Sequence, residues 1–419
     1  MTVHHSPLAR RAPLAAGVVG LALLLAACGS GSSTDPSPEG SSAAPSASAP
    51  ADEQGAIDPA TLPVTLNYEY LADHIVVDTG FGTDETFPMM LDTGAPLNVS
   101  ADLVTKFGFP VIGKQEAQAG GGTITSDKVG VDTVTMGGLT VDMVVGITPW
   151  VDSSNPLSCV TEHGLVGGNA MSDAVWQIDY QAKTVTVFAS TEGIDHVEGA
   201  ITIPYQPMAG LGETPIVGLA LGDAGLPFIV DTGSSFGIVA APADLERVGV
   251  TIPADSPTVK SRIAGAAGTF DLEMPYVTSS LGLNEITTIE YPIAAGDIVE
   301  KVGNIGNAFL SQFVVTFDFP NTTIYLDPIA DDGTVAPPAI PGATIGWDGT
   351  TAIVSSVAVG SDADKAGLKI GDVVIEADGT PITSQPEFCA AFTGPAIQEI
   401  TTEAGTFDAS VVEDFFTIQ

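Results

Sequence analysis

Basic residues are scarce in this chain: its 419 residues hold 12 Lys and Arg against 51 Asp and Glu, a formal net charge of −39. So few cations cannot neutralise a phosphate backbone, which argues against a nucleic-acid partner. Cysteine is scarcer still. Cys28, Cys159 and Cys389 are too few for a disulfide scaffold or a thiolate zinc module. The five His lie at positions 4, 5, 74, 163 and 196, with no H-E-x-x-H and no close Cys/His pair, so no metal site and no cofactor are expected. His74 and His163 read as surface or strand-edge residues. The apolar run at residues 12–27 is shorter than the ~20 residues of a membrane-spanning helix. The 44% hydrophobic content and mean hydropathy of +0.31 argue against global disorder. A load of 47 Gly and 30 Pro, with Val and Thr throughout, favours strands and turns, hence a mainly β fold. The length allows two to four domains.

Residues 1–28 read as an address. Arg10 and Arg11 precede the short apolar run, which ends Leu25-Ala26-Ala27-Cys28. That ending resembles the lipobox of bacterial lipoproteins, which implies lipidation of Cys28 and an exported protein anchored to the cell membrane, facing away from the cytoplasm. Residues 29–62 follow as a linker whose Ser, Pro, Ala and Gly cannot bury enough surface to order themselves. The acidity of the rest suits an exported protein kept soluble by self-repulsion, or a salty or acidic habitat.

The chain then repeats itself. Met89-Met90-Leu91-Asp92-Thr93-Gly94-Ala95 is matched by Phe228-Ile229-Val230-Asp231-Thr232-Gly233-Ser234. Gly164-Leu165-Val166-Gly167 and Gly303-Asn304-Ile305-Gly306 each begin 72 residues after their Asp. Asp179 and Asp318 each follow at 87 residues, and an alternating strand comes after both. One D-T-G is commonplace, but two in matched register mark a duplication. Each copy also has a Gly-rich hairpin, with Gly120, Gly121 and Gly122 in the first and Gly265 and Gly268 in the second. These are flap candidates, or ordinary flexible hairpins.

This repeat resembles the retroviral-type aspartic peptidases, with two lobes fused in one chain. The resemblance implies an all-β fold, lobes at 63–198 and 199–330 related by a pseudo-twofold axis, and a site between them sharing Asp92 and Asp231. Three apolar residues before each Asp suit a buried strand that delivers a carboxylate to a low-dielectric turn. Two carboxyl groups held a few ångströms apart share one proton, a case the aspartic proteases themselves exemplify. The resemblance further implies that Thr93, Gly94, Thr232, Gly233 and Ser234 support the turns, and that a protein or peptide is the substrate. In that family a Ser in the place of Ser234 can hydrogen-bond the adjacent Asp. The first copy has Ala95 there, its hairpin lacks a Tyr, and the residues after each Gly-x-x-Gly lack the family's Arg.

Gly233-Ser234-Ser235-Phe236-Gly237 also fits the G-x-S-x-G nucleophile pattern. That chemistry needs a His downstream, and every His lies upstream. Cys159 and Cys389 fall in different expected domains and read first as two separately buried thiols, with a bridge, which an exported setting permits, as the alternative.

After a linker at 331–341 the pattern changes. A strand at 352–357 precedes Ala366-Gly367-Leu368-Lys369-Ile370-Gly371-Asp372-Val373-Val374-Ile375, and a helix at 385–392 follows. This resembles the bacterial PDZ domain, which is assigned 342–419. The resemblance implies a groove that takes an extended peptide, with Ile345, Gly346 and Trp347 in its carboxylate-binding loop and residues 352–356, including Ile353, as its edge strand. The closing strands after residue 393 do not follow the pattern. Two readings remain: an anchored aspartic endopeptidase with a recruiting PDZ module, or a non-catalytic peptide-binding lipoprotein with degenerate lobes.

Overall fold

The computed structural model describes residues 53–416, apart from 120–121, 152–153, 209–212, 223, 266–267 and 299–301. The leader, Cys28, most of the tether and Gly120 and Gly121 lie outside the described residues. The fold is mainly β. Among the described residues no helix is long and apolar enough to cross a membrane.

Each copy of the repeat is built the same way. In the first, His74–Gly80 pairs antiparallel with Thr86–Asp92, which in turn pairs in parallel with Gly164–Gly167. In the second, Pro215–Leu221 pairs with Ala224–Val230, which lies parallel to Gly303–Ile305. The apolar triplets explain the central strands. Met89, Met90 and Leu91 are buried, as are Phe228, Ile229 and Val230, so both faces of each strand are covered. A short helix follows each turn, Ala101–Phe107 in one copy and Pro242–Arg247 in the other. A long hairpin comes next, Val111–Ala119 with Gly122–Met136 and Thr258–Gly265 with Gly268–Gly282.

A six-strand ribbon joins the copies, in the order Val64–Asn67, Thr184–Phe188, Val175–Asp179, Phe313–Asp318, Thr323–Pro328 and Ile201–Pro207. Its middle pair crosses between copies, with Ile178 opposite Val315. Trp176, Phe313 and Phe317 are fully buried there, so one core runs through both copies. The end of the expected tether belongs to this body. Gly55 N–H donates to Asn169 O at 2.9 Å, Ala56 bridges Asp142, and Ile57 is buried. Composition alone places 53–62 in the linker, but buried Ile57, the Lys128–Glu53 ion pair and the hydrogen bonds to Asn169, Asp142 and Asp173 hold its first part on the first copy.

The C-terminal module holds its own core around Val354, Leu368, Phe388 and Ile400. Strands Glu399–Thr402 and Gly405–Asp408 complete it, so the chain beyond residue 393 is folded. Its edge differs from the expectation. Ala352–Ala358 pairs with Ala343–Trp347 on one side, and on the other with the second hairpin, where Val259, Lys260 and Ser261 face Ala358, Val357 and Ser356. Ile353, 4% exposed, also bridges Val373. Residues 352–356 are therefore interior, and the outer strand is Ala343–Trp347, which contains Ile345, Gly346 and Trp347. The PDZ resemblance supplies a strand here, but its place in the sheet depends on what packs beside it in this chain.

The cysteines differ too. Cys159 and Cys389 form a disulfide across 230 residues, tying a short helical turn at Pro156–Cys159 in the first copy to helix Gln385–Phe392 of the module. Spacing says nothing about such a pair, because tertiary packing brings the two Cα atoms to 5.0 Å. Cys389→Ser is expected to cost about 2–4 kcal/mol, read as a fall in urea midpoint. The module should stay docked through the ladder to Val259–Ser261.

Candidate active site

Asp92 ends its strand, and Asp231 directly follows Val230. Each carboxylate is held by its own turn. Gly94 N–H donates to Asp92 Oδ1 at 2.7 Å, and Gly233 N–H donates to Asp231 Oδ1 at 2.9 Å. The glycines also clear space for the opposite acid. A Cβ on Gly94 would sit 2.5 Å from Asp231 Cγ, and one on Gly233 would sit 2.3 Å from Asp92 Cγ. Any side chain at either position would strike a carboxylate, so both turns need glycine for the close approach.

The threonines between them cross over. Thr93 N–H donates to Thr232 Oγ1 at 3.0 Å, and Thr232 N–H donates to Thr93 Oγ1 at 3.1 Å. Each hydroxyl then donates across the copies, Thr93 to Val230 O at 2.7 Å and Thr232 to Leu91 O at 2.9 Å. Both threonines are fully buried, so these four bonds have no water to compete with.

The electrostatics follow from this placement. Asp92 is 8% exposed, and burial, reinforced by the charge of Asp231, pushes it well above the ordinary carboxylate range. Burial also raises Asp231. Donors from Asn304, Asp92 and Gly233, with the nearby His74, act the other way. Both carboxyls are thus raised, Asp92 the more strongly, and the two titrate as a coupled pair.

Three neighbours carry no sequence signal. Asn304 Nδ2 donates to Asp231 Oδ2 at 2.7 Å. Asn307 Nδ2 donates to Thr232 O at 2.7 Å and to Asp73 O at 2.8 Å, and its Oδ1 accepts from Tyr180 O–H, so it ties the second turn to the first copy. It stands just past the second Gly-x-x-Gly, where the Arg is absent. His74 is 4% exposed, a buried residue and not a surface one, and burial lowers its pKa. An Asn after a glycine reads as a turn former, which is why its role passes unseen.

Ser234 does not reach Asp231; its hydroxyl accepts from Phe236 N–H at 3.4 Å. Gly122, Gly265 and Gly268 stand at the hairpin tips, where Ala119 pairs with Gly122 and Gly265 with Gly268. Ile263, Phe270 and Leu272 of the second hairpin cluster with Phe236, just past the second turn. A cavity of about 490 Å³ opens between His163, Thr161 and the Cys159–Cys389 bridge, and neither catalytic candidate lines it. Among the described residues no cluster of His, Cys, Asp or Glu could hold a metal ion.

Residues 76–170 match the family model described as aspartyl protease. Residues 353–401 match the model described as PDZ domain. The chain thus carries an aspartyl protease domain and a PDZ domain. The protease match contains Asp92 and ends before the second copy begins. A search of curated proteins found no match. The two domains together support a protease-type function acting on peptide or protein partners. In the PDZ domain, Trp347 of the outer strand packs on Phe388 of helix Gln385–Phe392 with ring centroids 5.3 Å apart, joining strand and helix in one core.

Proposed function

We propose that this protein is an exported, lipid-anchored aspartic endopeptidase in which Asp92 and Asp231 share one proton. The observation that carries this reading is the pair of intact D-T-G turns, whose carboxylates each lie against the glycine of the other. In the mechanism, Asp231 takes a proton from water as the oxygen attacks the peptide carbonyl. Asp92 donates a hydrogen bond to the oxyanion as it forms, and later passes its proton to the leaving nitrogen. The low-dielectric floor strengthens both interactions, and the crossed threonines hold the geometry without reorganisation at the moment of reaction. Incubating the purified full chain with denatured casein across acidic to neutral pH tests the proposal. Fragments are expected, and their absence at every pH overturns it.

The PDZ domain is proposed to capture the free C-terminus of a substrate or partner along strand Ala343–Trp347, whose far side has no strand partner among the described residues. Deleting the domain would remove a strand from the second hairpin's sheet, so the test uses the intact chain. A long substrate with a free C-terminal carboxylate is expected to show a KM about tenfold below that of its C-terminal amide, with equal kcat. Equal KM values would remove the recruiting role. The anchor is proposed to be a lipid on Cys28. Cys28→Ser should move the protein from the membrane to the soluble fraction, and unchanged retention would point to another attachment.

A further inference from the structure

Asn304 has no counterpart in the first copy. It faces Ile229 on the strand parallel to Ala224–Val230, and the same register in the first copy sets Leu165 against Met90. Leu165 packs with Val76, Trp150 and Val160 in an apolar cluster. Asn304 is as deeply placed, 4% exposed, yet polar. Its Nδ2 donates to Asp231 Oδ2 at 2.7 Å, and its Oδ1 is buried with no hydrogen-bond partner. Leaving an amide carbonyl unpaired costs stability. A charge-assisted bond from the other end of the same amide offsets that cost when Asp231 is ionised, and far less when it is neutral.

Resting on the peptidase reading above, we propose that Asn304 is a positioning residue that places the negative charge of the dyad on Asp231 and leaves the shared proton on Asp92. The other donors are nearly matched between the copies: Gly94 N–H on one carboxylate at 2.7 Å and Gly233 N–H on the other at 2.9 Å. They cannot choose between the two acids. The titratable groups facing Asp231 are Asp92 across the turn and, from the strand His74–Gly80, His74 with Asp73 beside it. Burial disfavours the His74 cation, so its pull on Asp231 is weak where the imidazole is neutral. Asn304 is the direct side-chain donor that one copy has and the other lacks. A site built from two equivalent turns thereby gains a direction. Water loses its proton on the side of Asp231, and the carbonyl oxygen is received on the side of Asp92, which favours one orientation of the bound peptide.

The test reads the carboxyl group itself. Full-length protein labelled with ¹³C at the Asp side-chain carboxyls is titrated by NMR in an Asp92→Asn background, where Asp231 titrates alone. Adding Asn304→Leu, which copies the first repeat, is expected to raise the Asp231 midpoint by roughly one pH unit. Asn304→Ala gives the same readout should leucine not fit. In the otherwise unaltered chain, Asn304→Leu should move the acid limb of kcat/KM upward by a similar amount and leave the alkaline limb in place. An unmoved Asp231 midpoint in a folded variant overturns the inference even if the protein cleaves peptides. A moved midpoint in a chain that cleaves nothing upholds the charge placement and overturns the peptidase reading instead.

Discussion

Asp92→Asn and Asp231→Asn are each expected to lower kcat/KM on a casein-derived peptide by about 10³-fold or more, in protein that remains folded. The reason is that the two acids form one chemical unit. An amide at position 231 cannot accept the proton of water, and an amide at 92 cannot pass one to the leaving nitrogen. The double variant should be little worse than either single one, because groups acting together are not additive. Near-native turnover in one single variant would show that a lone carboxylate suffices. Stability should move the other way for Asp92. Burial raises its pKa in the folded protein, so the native state holds the proton more tightly than the unfolded chain does. That contribution is full below the ordinary carboxylate value of about 4 and is lost as pH rises through the elevated folded value. A neutral Asn escapes the loss. Asp92→Asn should therefore be at least as stable as the native protein near pH 7, with the advantage shrinking towards pH 4, as urea midpoints at the two pH values will read.

The second large effect concerns the crossed threonines. Thr93→Val removes one hydroxyl that serves two buried partners, the carbonyl of Val230 and the N–H of Thr232. Stranding each costs about 1–3 kcal/mol, so a loss of about 2–6 kcal/mol is expected from a methyl-for-hydroxyl change of equal size. Against a typical stability of about 5–15 kcal/mol that is severe. Thr232→Val should behave alike, through Leu91 O and Thr93 N–H. The pair together should cost less than the sum, because both substitutions break one shared network. Ser at either position keeps the hydroxyl and should restore most of the stability. A Val variant within about 0.5 kcal/mol of the native protein would mean that the bonds contribute little.

These effects meet in the way the PDZ domain is attached. It adds a strand to the second hairpin's sheet through Ser356–Ala358, and it is bonded through Cys389 to the turn that carries Cys159 in the first copy. Phe392 also joins the apolar cluster of Val76, Met90 and Leu165. The domain therefore grips both copies, by backbone ladder on one and by covalent bond and apolar contact on the other. Anything that displaces it acts on the walls around the two turns.

The sequence alone was enough for what repeats and for what is local. The duplicated D-T-G, its matched Gly-x-x-Gly, the apolar triplets before each Asp and the A-G-L-x-x-G-D run are each contained in a few residues, because a buried strand and a tight turn impose their demands on immediate neighbours. The mainly β fold follows from the same local preferences. Partners across the chain were another matter. Asn304 reaches back 73 residues to Asp231, Asn307 spans 234 to Asp73, and Cys159 finds Cys389 across 230. No periodicity records such distances. The PDZ resemblance implies an edge at residues 352–356, and only the neighbours that close over them, Ser261 of the second hairpin beside Ser356 and residues 371–373 beside Ile353 and Val354, decide otherwise. His74 reads as a surface or strand-edge residue, and although it does begin a strand, a lone His gives no sign of what packs over it. Local chemistry writes itself into adjacent residues; hydrogen-bond partners, strand order and burial are set by which surfaces meet when the chain closes on itself, and only the tertiary structure decides them.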